Sequence, residues 1–427
     1  MRKKIDVDEL VVGMYVAEIE GGWINSPFWR SSFVISDVKE IEQMRDCNVR
    51  NVWVDPKRGK SVAQATSPTT ASIATATATT TVATAEAATE PQVTVVDTQP
   101  EPFAHAASGT VDIKEELARA GNICAQSKMA VVSMFREARM GNTVDGEGVR
   151  RVVQAITESL TRNGSALISL ARIKTADDYT YMHSVAVCAM MLALARQLGL
   201  NEENIRAAGI AGLLHDMGKA LLPTHVLNKP GKLTAAEFVI VKSHPERGHR
   251  LLSKDGNASA MTLDVCLHHH EKIDGSGYPK GLKGEAISLY AKMGAVCDVY
   301  DAITSNRPYK AGWDPAESMR MMSQWVGVHF DSVVFQAFVK SLGIYPVGSL
   351  VRLASGRLGV VMDQTSASLT MPIVKVFFDS KTLERITPEI VDLSNAALGE
   401  RISAREDPAK WNFPDINELW SGLSGLD

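Results

Sequence analysis

Between Ala63 and Glu90, twenty of twenty-eight positions are Ala or Thr, and charge is nearly absent. Alanine favours helix, but the interleaved threonines oppose it, and there is no apolar stripe to bury. Such a stretch joins no packed core, so the chain must fold as separate pieces on either side of it. A flexible tether is expected over residues 61–110. The piece before it has room only for a small core, while the piece after it can build a substantial one.

Residues 1–60 read as a small α+β module. Met14–Ile19 and Phe33–Ile35 are short apolar runs, Gly21-Gly22 marks a turn, and Ser36-Asp37 can cap a helix to about Arg45 before a strand at Asn51–Val54. Trp23, Phe28, Trp29 and Trp53 gather here and suggest a small core built from large side chains, with an exposed aromatic patch for a partner as the alternative.

From about Val111 the apolar period becomes helical. Helices are expected over Ile113–Arg139, Asp145–Leu170 and Asp177–Leu198, then from an Asn201 cap to about Met217 and from a Thr234/Glu237 capping pair. Others are expected at about Met261–Glu271, Ser288–Ile303, Pro315–Val326 and Ser332–Ser341. After Pro346, Ser349–Ala354, Leu358–Met362 and Ile373–Phe378 have strand lengths, with Ser355-Gly356 as a hairpin signal. The expected class is mainly α. A helical domain over 111–345, with its core at about 140–345, sits between the N-terminal module and a short β appendix with a tail over 346–427.

Composition excludes several functions. A net charge of −4 provides no basic field for duplex nucleic acid. No run of about 18 apolar residues occurs, so no membrane insertion is expected. The five cysteines (Cys47, Cys124, Cys188, Cys266 and Cys297) form no CxxC pair, which fits a reducing compartment; a cytoplasmic location is expected.

The chemistry lies in polar groups that interrupt apolar helices. His268-His269-His270 run into a turn, Asp274-Gly275-Ser-Gly277-Tyr278-Pro279. His183 sits inside a helix, His215-Asp216 ends the apolar run Ile210–Leu214, and His244-Pro245 marks a helix break. Asp298 and Asp301 lie three apart on an otherwise apolar helix, so both can face one side. Buried imidazoles and carboxylates are costly unless paired or ligated, and one shared metal centre accounts for the whole set. From the residues alone, which two of the three adjacent histidines bind metal stays open.

Four segments together closely resemble the HD-GYP phosphodiesterases, a branch of the HD metal-dependent phosphohydrolases. They are His215-Asp216-Met-Gly-Lys219, His244-Pro245, His269-His270-Glu271 through Tyr278-Pro279, and Asp298-Val-Tyr-Asp301 through Arg307-Pro-Tyr-Lys310. The resemblance covers about residues 140–345 and implies an HD-type helical bundle. Residues 1–60 resemble the small domain that often precedes it. The family's metal ligands fall on His183, His215, Asp216, His244, His269, His270 and Asp298, which leaves His268 a supporting or structural residue. Tyr179 stands where some members carry a carboxylate for a third metal, although Asp177 and Asp178 are close by. Two divalent transition-metal ions are therefore expected, iron or manganese by ligand type.

The resemblance implies cyclic di-GMP as substrate, opened to linear pGpG by a hydroxide held between two cations, with further cleavage to GMP left open. Asp216 would bridge the metals and Lys219 would serve the scissile phosphate. Tyr278 would line the pocket, Gly275 and Gly277 would let the backbone approach the substrate, and Arg307 and Lys310 would contact the second phosphate. Asp301 and Thr304 are expected to organise their helix end. The alternative is a slow or non-catalytic module that binds the dinucleotide and acts through protein partners. Partners such as diguanylate cyclases or other signalling proteins would meet residues 1–60; self-association as a homodimer is left open.

Overall fold

The computed structural model describes residues 2–19, 33–35, 37–46, 51–59, 111–174, 179–229, 231–254, 256–306, 312–365 and 368–423. The expected tether, together with Trp23, Phe28 and Trp29, lies outside these residues. The chain divides into two compact units, Met1–Asp97 and Thr98–Asp427.

The first unit contains β1 (Lys3–Asp6), β2 (Tyr15–Ile19), β3 (Phe33–Val34), α1 (Val38–Asp46) and β4 (Asn51–Val54). Its antiparallel sheet has the order β1-β4-β2-β3. Its described core is aliphatic: Ile5, Val16, Val52 and Val54 meet Ile41 and Met44 of α1. The expected aromatic core is thus corrected at Trp53, because strand alternation turns Val52 and Val54 inward and Trp53 outward.

The second unit is mainly helical, as expected. It begins with α2 (Ile113–Arg139), α3 (Gly146–Arg162) and α4 (Ala166–Arg172). The single helix expected over Asp145–Leu170 is therefore two. Asn163 takes an extended backbone, its Oδ1 accepts from the Ser165 and Ala166 amides at 2.9 and 3.0 Å, and its Nδ2 donates to Asp363 at 3.0 Å. That side chain replaces the helical hydrogen bonds at the break.

Helices α5 (Tyr179–Gln197) and α6 (Glu202–Leu214) form the centre. α5 is apolar around its whole circumference and nearly all buried, as a core helix must be. It approaches α6 closely at Gly212, where a Cβ would meet Met191 Cγ at 2.9 Å and Cys188 Cα at 3.1 Å. Asn201 caps α6 by accepting from the Asn204 amide at 2.8 Å. A 3-10 turn at Met217–Leu221 follows, where helix was expected to run on to about Met217.

Next come α7 (Thr224–Leu227), α8 (Ala235–Lys242), α9 (His244–Ser253), α10 (Ala260–His268), α11 (Leu289–Thr304), α12 (Pro315–Ser323) and α13 (Ser332–Leu342). The Thr234/Glu237 capping box starts α8, and Pro245 occupies the first turn of α9. No helix among the described residues is long and apolar enough to cross a membrane.

The C-terminal region holds more than the three expected strands. It contains β5 (Leu350–Leu353), β6 (Arg357–Asp363), β7 (Ile373–Asp379), β8 (Glu384–Asp392) and β9 (Ile402–Arg405), then α14 (Pro408–Trp411) and α15 (Ile416–Ser421). The antiparallel order is β8-β7-β6-β5-β9. One face adds Leu350, Leu358, Val360 and Phe377 to the helical core, with Trp420 of α15 beside them. The other gathers Val351, Val361, Val374 and Val376.

Candidate metal centre

All seven expected ligands come together among α5, α6, α9, α10 and α11. His183, His215 and Asp298 form one group, and His244, His269 and His270 form another; His215, Asp216 and His269 join them. Within each group the ligand atoms lie within 4.8 Å of one another. Asp216, fully buried, faces both groups. Its Oδ2 lies 3.3 Å from the Nε2 atoms of His183 and His215, and its Oδ1 lies 3.1 Å from His244 Nε2 and 3.8 Å from His269 Nε2.

The imidazole tautomers are fixed by what holds the opposite nitrogens. Nδ1 of His215 donates to the Gly212 carbonyl at 2.7 Å, and Nδ1 of His244 to the Val241 carbonyl at 2.7 Å. Nδ1 of His269 donates to Val265 and Cys266 at 3.0 and 3.1 Å. A carbonyl only accepts, so each of these nitrogens carries a proton and leaves Nε2 as the ring atom turned inward. His244 and His269 bring two such nitrogens within 3.3 Å. Asp216 Oδ1 is buried beside them without a hydrogen bond. A buried carboxylate oxygen that faces ring nitrogens without a hydrogen bond is costly in a dry interior and is satisfied by a cation. The donor set therefore fits transition metal.

Electrostatics agree with this. Burial and the neighbouring His215 and His244 push His269 down to about 3, so it stays a neutral donor. Burial and His269 likewise hold His270 well below its ordinary value. Burial opposes charge on His183, but Asp216, Asp298 and Asp301 outweigh it and push it up to about 10. That corner of the site stabilises positive charge. Burial would also neutralise Asp216, yet Lys219, His215 and His183 keep its carboxyl well below the usual range.

Lys219 is paired with Asp216 Oδ2 and remains partly exposed. His268 stands apart, bonding Asp264 at 2.8 Å. Tyr278 stacks on His270 with ring centres 4.7 Å apart. Gly275 has φ of +83°, a conformation glycine adopts freely. At Gly277 a Cβ would meet Glu271 Cα at 2.5 Å and the His270 carbonyl at 2.6 Å, so this glycine closes the loop on its own chain. Arg307 and Lys310, like Asp177 and Asp178, lie outside the described residues.

Two roles escaped the sequence reading, and a third residue, Tyr179, stands in it only as the place of a third-metal carboxylate. Asp301 does more than order a helix end: its Oδ2 bonds His183 Nδ1 at 2.6 Å, and Lys174 Nζ grips both its oxygens at 2.6 and 2.7 Å. The position of Asp301, one turn after Asp298 on an apolar helix, was the available signal; Lys174 gave none. Buried Glu271 accepts from the Lys280 and Leu282 amides at 2.7 and 3.0 Å and so anchors the Gly-Tyr-Pro loop. Tyr179 lies 5.8 Å from His183, ring against ring.

The HD domain model matches residues 156–334, and the model of a domain of unknown function (DUF3391) matches residues 2–149. A cyclic di-GMP phosphodiesterase of Pseudomonas aeruginosa is 47% identical over 99% of this chain and 97% of its own. A cyclic di-GMP phosphodiesterase response regulator of Xanthomonas campestris is 35% identical over 58% of this chain and 66% of its own. Similarity that runs the length of the Pseudomonas enzyme places this chain in the HD-domain family, within its HD-GYP phosphodiesterase branch.

Proposed function

We propose that the protein hydrolyses cyclic di-GMP to linear pGpG at a two-metal centre. The observation that carries this reading is Asp216, whose two carboxylate oxygens face two separate imidazole sets. His183, His215 and Asp298 would hold one ion, and His244, His269 and His270 the other, with Asp216 shared. Bound there, iron or manganese ions supply Lewis acidity toward a phosphate oxygen and a water of lowered pKa.

The chain's own groups do the rest. Lys219 places an ammonium beside Asp216, where it neutralises charge on the scissile phosphate as the 3′ oxygen departs. Tyr278, stacked on His270, walls the pocket on the side of the second group. Arg307 and Lys310 are assigned to the second phosphate by their place in the motif. Tyr179 has an aromatic ring at the position of a third-metal carboxylate, which favours two ions.

The test is to incubate iron-loaded and manganese-loaded protein with cyclic di-GMP and to follow the products. Linear pGpG is expected, with His215→Ala and Asp216→Ala inactive but folded by circular dichroism. Binding without hydrolysis in both metal forms would overturn the enzymatic reading. Metal analysis giving three ions per chain would overturn the two-metal assignment.

A further inference from the structure

Helix α8 is apolar and yet no residue of it is fully buried. Its sequence, Ala235-Ala-Glu-Phe-Val-Ile-Val-Lys242, contributes no buried residue; Phe238 is 45% exposed and Val239 is 68% exposed. Eight residues are too few for a helix to persist on propensity alone, so its ends must be held. At the N-terminus the Thr234/Glu237 capping box is tied down by Lys229 Nζ, at 2.7 and 2.9 Å from the Glu237 oxygens. At the C-terminus the Val241 carbonyl accepts from Nδ1 of His244, an assigned ligand, at 2.7 Å. The helix is thus fixed to the metal centre while Phe238 and Val239 stand exposed.

Those side chains continue the pocket wall. Lys242 Nζ lies 5.0 Å from the centre of the Tyr278 ring and 4.9 Å from the centre of the Phe238 ring. Tyr278 in turn stacks on His270. An unbroken row therefore runs from a metal ligand through a phenol and an ammonium to an exposed phenyl ring.

We infer that this row receives one guanine base of the substrate, with Phe238 as its stacking platform and Lys242 as the donor that reads its edge. The inference rests on the substrate reading above. An exposed aromatic face beside a cation suits a nucleobase, whose π face stacks regardless of sequence. Lysine offers three donors and no acceptor. Guanine presents O6 and N7 as adjacent acceptors, whereas adenine puts an amino donor beside N7. Lys242 therefore selects guanine. Continuity with the metal centre favours a base over a docked protein, which would have no need to reach His270.

The experiment is steady-state kinetics on metal-loaded enzyme with cyclic di-GMP and with bis(4-nitrophenyl) phosphate, a diester without a purine. In Phe238→Ala the ratio of KM for cyclic di-GMP to KM for the purine-free diester should rise about tenfold, the effect of losing one stacked base. Phe238→Trp should restore the wild-type ratio. Lys242→Met should narrow the gap between KM for cyclic di-GMP and the inhibition constant of cyclic di-AMP by about tenfold. A wild-type ratio in Phe238→Ala, or an unchanged gap in Lys242→Met, would overturn the base site. Wild-type protein that cleaves the purine-free diester but not cyclic di-GMP would overturn the substrate assignment, and this site with it.

Discussion

His183 differs from His215, His244 and His269 in what holds its Nδ1, a carboxylate rather than backbone carbonyls. Burial pushes Asp301 up, but Lys174 and His183 outweigh it and keep the carboxyl ionised below its ordinary range. Asp301, kept ionised by buried Lys174, thus presents a carboxylate oxygen to the back of His183, orienting the ring and strengthening Nε2 as a donor. Asp301→Asn retains an acceptor for Nδ1 but removes the charge. It should weaken metal retention at the His183 group about 10- to 100-fold, measured by chelator competition, with one ion per chain lost first. Retention equal to wild type would show that the pair serves only the fold. A second residue-scale prediction concerns Gly277, where backbone atoms of His270 and Glu271 leave no room for a Cβ. Gly277→Ala should displace the Gly-Tyr-Pro loop and raise KM for cyclic di-GMP by at least about fivefold, since even one weakened stacking contact costs that much. An unchanged KM would mean that the loop tolerates the shift without moving Tyr278.

Helix starts were legible where their signals are local: Asn201, Thr234 with Glu237, and Ser288 each cap the helix expected of them, whereas Pro245, read only as a helix break, opens the unexpected α9. The candidate ligands were legible as a set for a related reason, since a polar residue interrupting an apolar helix stands out, but the choice of His269 and His270 over His268 came only from the family resemblance. What escaped depends on distant partners. Lys174, Glu271 and Asn163 look ordinary until Asp301, the Lys280 and Leu282 amides and Asp363 are placed beside them. Strand β8 escaped because it is an exposed sheet edge; it lacks clean alternation and carries Pro388, which an edge strand tolerates. Asp314 belongs to this scale, because it caps α12 at 2.9 Å from the Glu317 amide and faces Arg405 of β9 at 3.9 Å. Burial is the main cause that pushes it up to about 6, against the Glu317 amide and the charges of Arg405 and Arg172. A carboxyl raised in the folded state stabilises that state when protonated. Its contribution is full below the ordinary value of 3.8 and is lost as pH rises through about 6. Asp314→Asn keeps a capping oxygen and is neutral throughout. Its stability relative to wild type should therefore climb between about pH 4 and pH 6 and level off above, by denaturant titration across pH. Parallel profiles would show that Asp314 does not ionise at a cost.

At the scale of the whole second unit, the C-terminal sheet is a wall of the helical core. Leu350, Leu358, Val360 and Phe377 belong to the same apolar cluster as Phe338 and Leu342 of α13, and Trp420 is fully buried with them. Three strand-length runs in the sequence suggested an appendage, because apolar period shows which residues seek burial but not against what. The chain after Pro346 returns to the helices repeatedly: through β5–β6, through Phe377 of β7, through Arg405 of β9 against α12, and through Trp420 of α15. Unfolding should therefore be shared. Trp420→Ala removes a large buried side chain and should cost about 3–5 kcal/mol, since surrounding helices and strands cannot collapse fully into the space. Denaturant unfolding followed by helical circular dichroism should show a single transition moved to lower denaturant, and metal retention should fail at the same midpoint. An independent appendage would behave otherwise. Trp420→Ala would then melt the sheet alone, visible as early proteolysis after residue 346, while the helical transition and the bound metal kept their wild-type midpoint. That outcome would separate the sheet from the catalytic core; the shared apolar cluster predicts that they stand or fall together.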